Sequence, residues 1–215
     1  MSTTRTVTTP HGDARLVTHR AKSPIATLLL GHGAGGGIDA ADLQALATTL
    51  PRNGVTVVLL EQPWKVAGKK LAPRPAVLDE GLRAAAASLR STAPLVVGGR
   101  SAGARSAARC ARDVGAVGCL ALAFPLHPPG KPERSRLDEL EGAGVPTLVV
   151  QGERDPFGTP EEFPGDVDLT AVPGADHSFR VPKRGVISQE DVDGIIVEAT
   201  LEWLVREVAG NRTAS

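Results

Sequence analysis

From residue 25 onward, short apolar runs alternate with longer stretches in which apolar positions recur every three or four residues. The runs are IATLLL (25–30), VTVVLL (55–60), PLVVGG (94–99), VGCLALAF (117–124), VPTLVVQG (145–152) and VDLTAV (167–172). PLVVGG lacks polar alternation, as a central strand covered on both faces does. Between the runs, Leu43, Leu46, Ala47 and Leu50 mark one buried helical face, after an N-cap predicted at Asp39. Alanine-rich helices are predicted around 76–90 and from about 102. The last helix is predicted to open at Ser188, with Asp191 completing a capping box. Val192, Ile195, Ile196, Ala199 and Trp203 form its apolar stripe. RTVTT and ARLVTHR, within residues 1–24, read as antiparallel edge strands, 65–74 as a loop and 210–215 as a disordered tail. Strands alternating with helices, without a compositional break, predict one α/β domain over 1–215: a mostly parallel sheet with helices on both faces.

Composition narrows the function classes. Hydrophobic residues are 41% and charged residues 22%, ordinary for a globular chain, and the formal net charge is zero. Bulk charge therefore points to neither nucleic acid nor a membrane surface. Tyr is absent and aromatics are 3%, which leaves little for stacking single-stranded bases. The N-terminal segment has no apolar core of a secretion signal, and the apolar runs are of strand length. Cys110 and Cys119 lack metal or redox spacing and read as free thiols in a reducing cytoplasm. A small-molecule ligand and a monomer or homodimer are the expectation, with no cofactor and no metal.

LLLGHGAGGG (28–37) admits two chemistries. Gly31, Gly33 and Gly36 satisfy the dinucleotide pattern G-x-G-x-x-G, and Glu61 ends the next strand where an acid could hold a ribose. The same glycines could instead supply backbone N–H groups to an oxyanion. A phosphate cradle needs the helix to begin inside the motif, yet Gly35-Gly36-Gly37 would each cost about 1 kcal/mol in a helix. The helix must start late, which favours the oxyanion loop.

PLVVGG runs directly into Gly99-Arg100-Ser101-Ala102-Gly103, a G-x-S-x-G motif. A serine on a tight strand-to-helix turn projects its hydroxyl from the sheet edge, and small residues on either side let strand and helix approach. The Ala102 N–H at the helix start can face a developing oxyanion. A serine hydroxyl needs a base, itself oriented by a carboxylate. Of the histidines after Ser101, His177 has Asp155 before it, just past the VPTLVVQG strand. His127 is preceded only by Asp113, in a helix. Glu153 and Asp176 remain rivals to Asp155.

LLLGHGAGGG, GGRSAGAR, QGERDPFG and GADHSF together resemble a small α/β-hydrolase of the dienelactone-hydrolase-like clan, over about residues 25–206. The likeness is greatest to bacterial hydrolases grouped with testis-expressed and NSL-complex-subunit hydrolase-like proteins. It implies an α/β-hydrolase fold with Ser101, Asp155 and His177 as a triad. Dienelactone hydrolases proper carry a cysteine nucleophile, so Ser101 departs from them. The group also includes non-catalytic subunits, so a silent scaffold that binds a protein partner is the alternative.

Only FPLHPPGKPERS separates a strand from the next helical segment where such folds often insert a lid, so a lidless pocket is predicted. Ala34 and Ala102 are the expected oxyanion donors, and Gly33, Gly35, Trp64, Arg100 and His127 candidate pocket residues, with His32 structural. Lys65, Lys69, Lys70 and Arg74 lie in a loop without acids, expected at the active-site edge. With Arg100 and Arg180 they would attract an anionic substrate.

Overall fold

The apolar runs become strands because helices cover both faces of the sheet they form. A computed structural model describes residues 2–209; the segment 210–215, read above as a disordered tail, lies outside the described residues. The strands are β1 (Ser2–Thr9), β2 (Gly12–His19), β3 (Ala26–Gly31), β4 (Val55–Glu61), β5 (Leu95–Arg100), β6 (Gly118–Leu122), β7 (Thr147–Gly152) and β8 (Asp168–Val172). They form one sheet in the order β1-β2-β4-β3-β5-β6-β7-β8. β1 and β2 are antiparallel additions at one edge, and β3 to β8 are mutually parallel.

Alternate residues of each central strand serve opposite cores. Leu28, Leu30, Val57 and Leu59 face α1 (Ala41–Thr49) and α6 (Gln189–Leu204), meeting Leu43, Leu46, Val192, Ile196 and Trp203. Leu29, Val58 and Leu60 turn the other way, toward α3 (Pro75–Ser88). Val97, Cys119, Ala121 and Val149 meet α4 (Ala102–Cys110) and α5 (Leu137–Glu141) on that same face. Each large apolar side chain so buried contributes about 1.5–3 kcal/mol.

Several boundaries differ from the sequence reading for identifiable reasons. The α1 cap is Ala40 rather than Asp39, with no side-chain cap bond, because the chain completes a turn at 38–39 before the helix begins. The segment 65–74, read as a loop, begins inside a short helix, α2 (Pro63–Val66), started by the proline at its first position. β6 stops at Leu122 because Ala123 adopts φ 45°, which ends extended pairing. The Ser188–Asp191 capping box is present.

Cys110 and Cys119 are free and buried, and burial pushes their thiols up to about 11 and about 12, leaving them unreactive. Among the described residues no helix is long and apolar enough to cross a membrane.

Candidate active site

The geometry begins with a strained turn. Ser101 joins β5 to α4 at φ 53° and ψ −113°, a conformation that costs a side-chain-bearing residue on the order of 1–3 kcal/mol. The strain is held by close backbone approach. A Cβ on Gly99 would lie 2.5 Å from the Gly31 carbonyl oxygen, and one on Gly103 would lie 2.5 Å from the same atom. Only glycine lets β3, β5 and α4 come so near.

Ser101 Oγ lies 2.9 Å from His177 Nε2, although 76 positions separate them. His177 Nδ1 lies 2.7 Å from Asp155 Oδ2. A carboxylate oxygen accepts, so Nδ1–H donates to Asp155 and Nε2 is left to accept from the serine hydroxyl. Asp155 is buried, and its orientation is fixed by the Phe157 N–H to Oδ1 at 2.8 Å and by Gln151 Nε2 to Oδ2 at 3.0 Å. The Phe157 ring lies against the imidazole, centroids 4.2 Å apart. The rival carboxylates are engaged elsewhere: Glu153 accepts from the Gly174 N–H, and Asp176 from Ser178 and Arg180 N–H groups in its own turn.

The glycine loop is oriented by His32. This buried imidazole accepts from the Gln62 N–H at 3.1 Å, so its proton sits on Nδ1 and donates to the Gly33 carbonyl at 2.9 Å. Burial lowers its pKa, which favours this neutral form. With the Gly33 carbonyl turned to the ring, a planar trans peptide sends the Ala34 N–H the opposite way. A Cβ built on Gly33 would lie 3.4 Å from Ser101 Cβ, so the loop passes beside the serine.

These elements surround an open cavity of about 950 Å³, lined by Gly33, Ala34, Gly35, Ser101, Ala102 and His177 among others. Arg100 lines it as expected. Two expected pocket residues do not. Trp64 is 5% exposed and packs edge-on against His32, centroids 5.4 Å apart, so it anchors the loop from beneath. His127 is turned away, its Nε2 2.8 Å from Glu162 and its Nδ1 3.0 Å from the Pro128 carbonyl. Lys65, Lys69, Lys70 and Arg74 are likewise outside the lining, and Lys65 Nζ sits 5.9 Å from the Trp64 ring.

The cavity's positive charge comes instead from Arg100, Arg105, Arg136 and Arg180. Arg105 is neutralised by Glu139 at 2.5 and 2.9 Å. Arg136 donates from Nη1 to the Pro125 carbonyl at 2.9 Å, and burial and neighbouring Arg105 lower its pKa. Arg136 and Phe157 were not singled out by sequence. Phe157 carried a signal, since it is the aromatic residue nearest Asp155, whereas Arg136 did not.

Glu61, the ribose-binding candidate of the dinucleotide reading, is paired with Arg15 of β2. Among the described residues, no group of three or more His, Cys, Asp or Glu side chains could hold a metal ion.

The profile described as an alpha/beta hydrolase domain matches residues 24–204. The chain belongs to this family. Among curated proteins none is significantly similar in sequence. Among solved structures, XC6422 from Xanthomonas campestris, an α/β serine hydrolase without a lid, superposes with a TM-score of 0.72 at 20% identity, over 94% of each chain. Dienelactone hydrolase from Anabaena variabilis gives 0.74 at 16% identity, over 97% of this chain and 98% of that one. The esterase domain of a Rhodothermus marinus protein gives 0.71 at 15%, over 97% and 99%. Such identities carry the fold alone. In this α/β-hydrolase the described residues form no helix or strand between β6 and α5.

Proposed function

We propose that this α/β-hydrolase is a serine hydrolase that cleaves a small ester, thioester or lactone through an acyl-enzyme. The observation that carries the reading is the continuous chain Ser101–His177–Asp155, at 2.9 and 2.7 Å, opening into a cavity. Ser101 attacks the carbonyl while His177 takes its proton and returns it to the leaving group. Asp155 holds the imidazole in the required tautomer and offsets the charge it gains. The Ala34 and Ala102 N–H groups receive the oxyanion, and water then enters by the same route to release the acid. These steps draw on no metal or organic cofactor.

The absence of a lid favours short acyl groups over long chains. The charge left over at Arg136 and Arg180, once Arg105 is paired with Glu139, favours an acyl group bearing an anion. Two buried free thiols suit a reducing compartment such as the cytoplasm.

A fluorophosphonate probe tests the reading. Wild-type protein is expected to label, and Ser101→Ala to lose the label while keeping its melting profile. Folded wild type that fails to label would sink the enzyme reading and leave the silent scaffold that binds a protein partner. Turnover across short-chain esters, thioesters and lactones then ranks acyl and leaving groups.

A further inference from the structure

Arg100 ends β5 immediately before Ser101, and its side chain is only 12% exposed. A guanidinium so deeply placed needs partners, because it cannot be deprotonated to relieve the loss of water. Its three nitrogens meet three different parts of the site. Nη2 donates to the backbone carbonyl of His177 at 2.8 Å. Nε faces Asp42 Oδ2 at 3.5 Å, in the first turn of α1, an ion pair rather than a hydrogen bond, and neither of those two atoms has a hydrogen-bond partner. Nη1 lies against Gly33, 3.6 Å from where a Cβ would stand.

We infer that Arg100 is a positioning residue: its guanidinium, countered by Asp42, clamps the loop bearing His177 to the turn bearing Ser101. This rests on the serine-hydrolase reading above and adds to it the element that holds base and nucleophile in register. The histidine must satisfy Ser101 at one ring nitrogen and Asp155 at the other, so small movements of its backbone break one of the two bonds. The loop after β8 carries it without regular structure and with Phe179 at φ 53°. The bond from Arg100 to the peptide of His177 itself fixes that backbone directly. A planar fork with donors in three directions suits the task, and a lysine ammonium does not. Asp42 keeps the fork's plane and supplies the opposite charge. Its burial, which pushes its carboxyl up against the opposing pull of Arg100, is a cost that packing alone would not require.

The test uses full-length wild type, Arg100→Met, Arg100→Lys and Asp42→Asn. Each is measured by thermal melting, by the rate of fluorophosphonate labelling, and by kcat and KM on neutral 4-nitrophenyl acetate. Arg100→Met is expected to lower kcat and labelling rate by about 10²-fold, the scale of an ångström's misplacement, with KM nearly unchanged. Arg100→Lys is expected to fall with it, since the charge returns but the fork does not. Asp42→Asn, which keeps volume and leaves the His177 contact in place, is expected to lower kcat several-fold. A native melt with unchanged kcat in Arg100→Met overturns the inference. So does a change confined to KM, which would make Arg100 a substrate contact, or full recovery in Arg100→Lys, which would make it a charge alone. If Arg100→Met does not fold, the decision passes to Asp42→Asn, and unchanged kcat there overturns it. Failure of wild type to label strikes the serine-hydrolase reading instead, because Arg100 is then not what is being measured.

Discussion

Asp155 Oδ2 stands 2.7 Å from Nδ1 of His177, at the opposite end of the imidazole from Ser101. Removing the carboxylate's charge should leave the cavity in place but upset the tautomer. Asp155→Asn is therefore expected to lower ester turnover by about 10³- to 10⁴-fold. His177→Ala should lower it by about 10³-fold or more. His127→Ala should stay within about twofold of wild type, since its ring is committed to Glu162 and the Pro128 carbonyl. Steady-state kinetics on one ester decide all three, and retained activity in His177→Ala would move the base to His127.

The turn beneath Ser101 tolerates no side chain at Gly103. A methyl there would meet the Gly31 carbonyl oxygen at 2.5 Å and its carbon at 2.6 Å, both backbone atoms of a central strand. Gly103→Ala should destabilise the fold by about 1–3 kcal/mol and displace the serine. Denaturant titration and fluorophosphonate labelling should report a loss together. A variant as stable and as reactive as wild type would show that β3 can yield.

His32 makes stability depend on pH with a definite sign. Its folded pKa lies below the ordinary 6.5, so the unfolded chain takes up a proton first as pH falls. The stability it supplies is complete above about pH 6.5 and is lost as pH falls toward the folded value. His32→Asn should therefore be less stable than wild type at pH 7.5, and the gap should narrow by pH 5. Melting curves of the two proteins across that range provide the check; a constant gap would show that the proton on His32 is not linked to folding.

Arg136 should govern selectivity for a charged acyl group. The ratio of kcat/KM for 4-nitrophenyl succinate to that for 4-nitrophenyl butyrate is expected to fall about 10-fold in Arg136→Gln, the scale of one hydrogen bond to a charged group. Because the cavity is open to solvent, the wild-type preference should shrink in added salt. Equal ratios in the two proteins would remove Arg136 from recognition.

Much of this was visible along the chain because periodicity and chain order are local properties. Runs such as VTVVLL announce a doubly covered strand, and Gly99-Arg100-Ser101-Ala102-Gly103 announces the turn that follows one. The pairing of Asp155 with His177 was legible only as an order of residue types, and Glu153 and Asp176 stayed open until side-chain directions were known. Direction is also what separated Trp64 and His127 from the cavity: both occupy segments at the correct sheet edge, yet one ring points into the packing beneath the glycine loop and the other toward Glu162. Arg136 and the contact between Arg100 and Asp42 join segments far apart in sequence, and no local pattern encodes such meetings.

The backbone contacts among Gly31, Gly99 and Gly103 have a consequence for redesign. They form a floor that cannot be altered at Gly99 or Gly103 alone, because a Cβ at either would lie 2.5 Å from the Gly31 carbonyl oxygen. The wall over residues 123–136 is bound by no such constraint: it joins β6 to α5 as an irregular connection beside the cavity. Lengthening that connection is the route by which this scaffold can acquire a roof, and with it a taste for larger acyl chains, while its reacting atoms stay where they are.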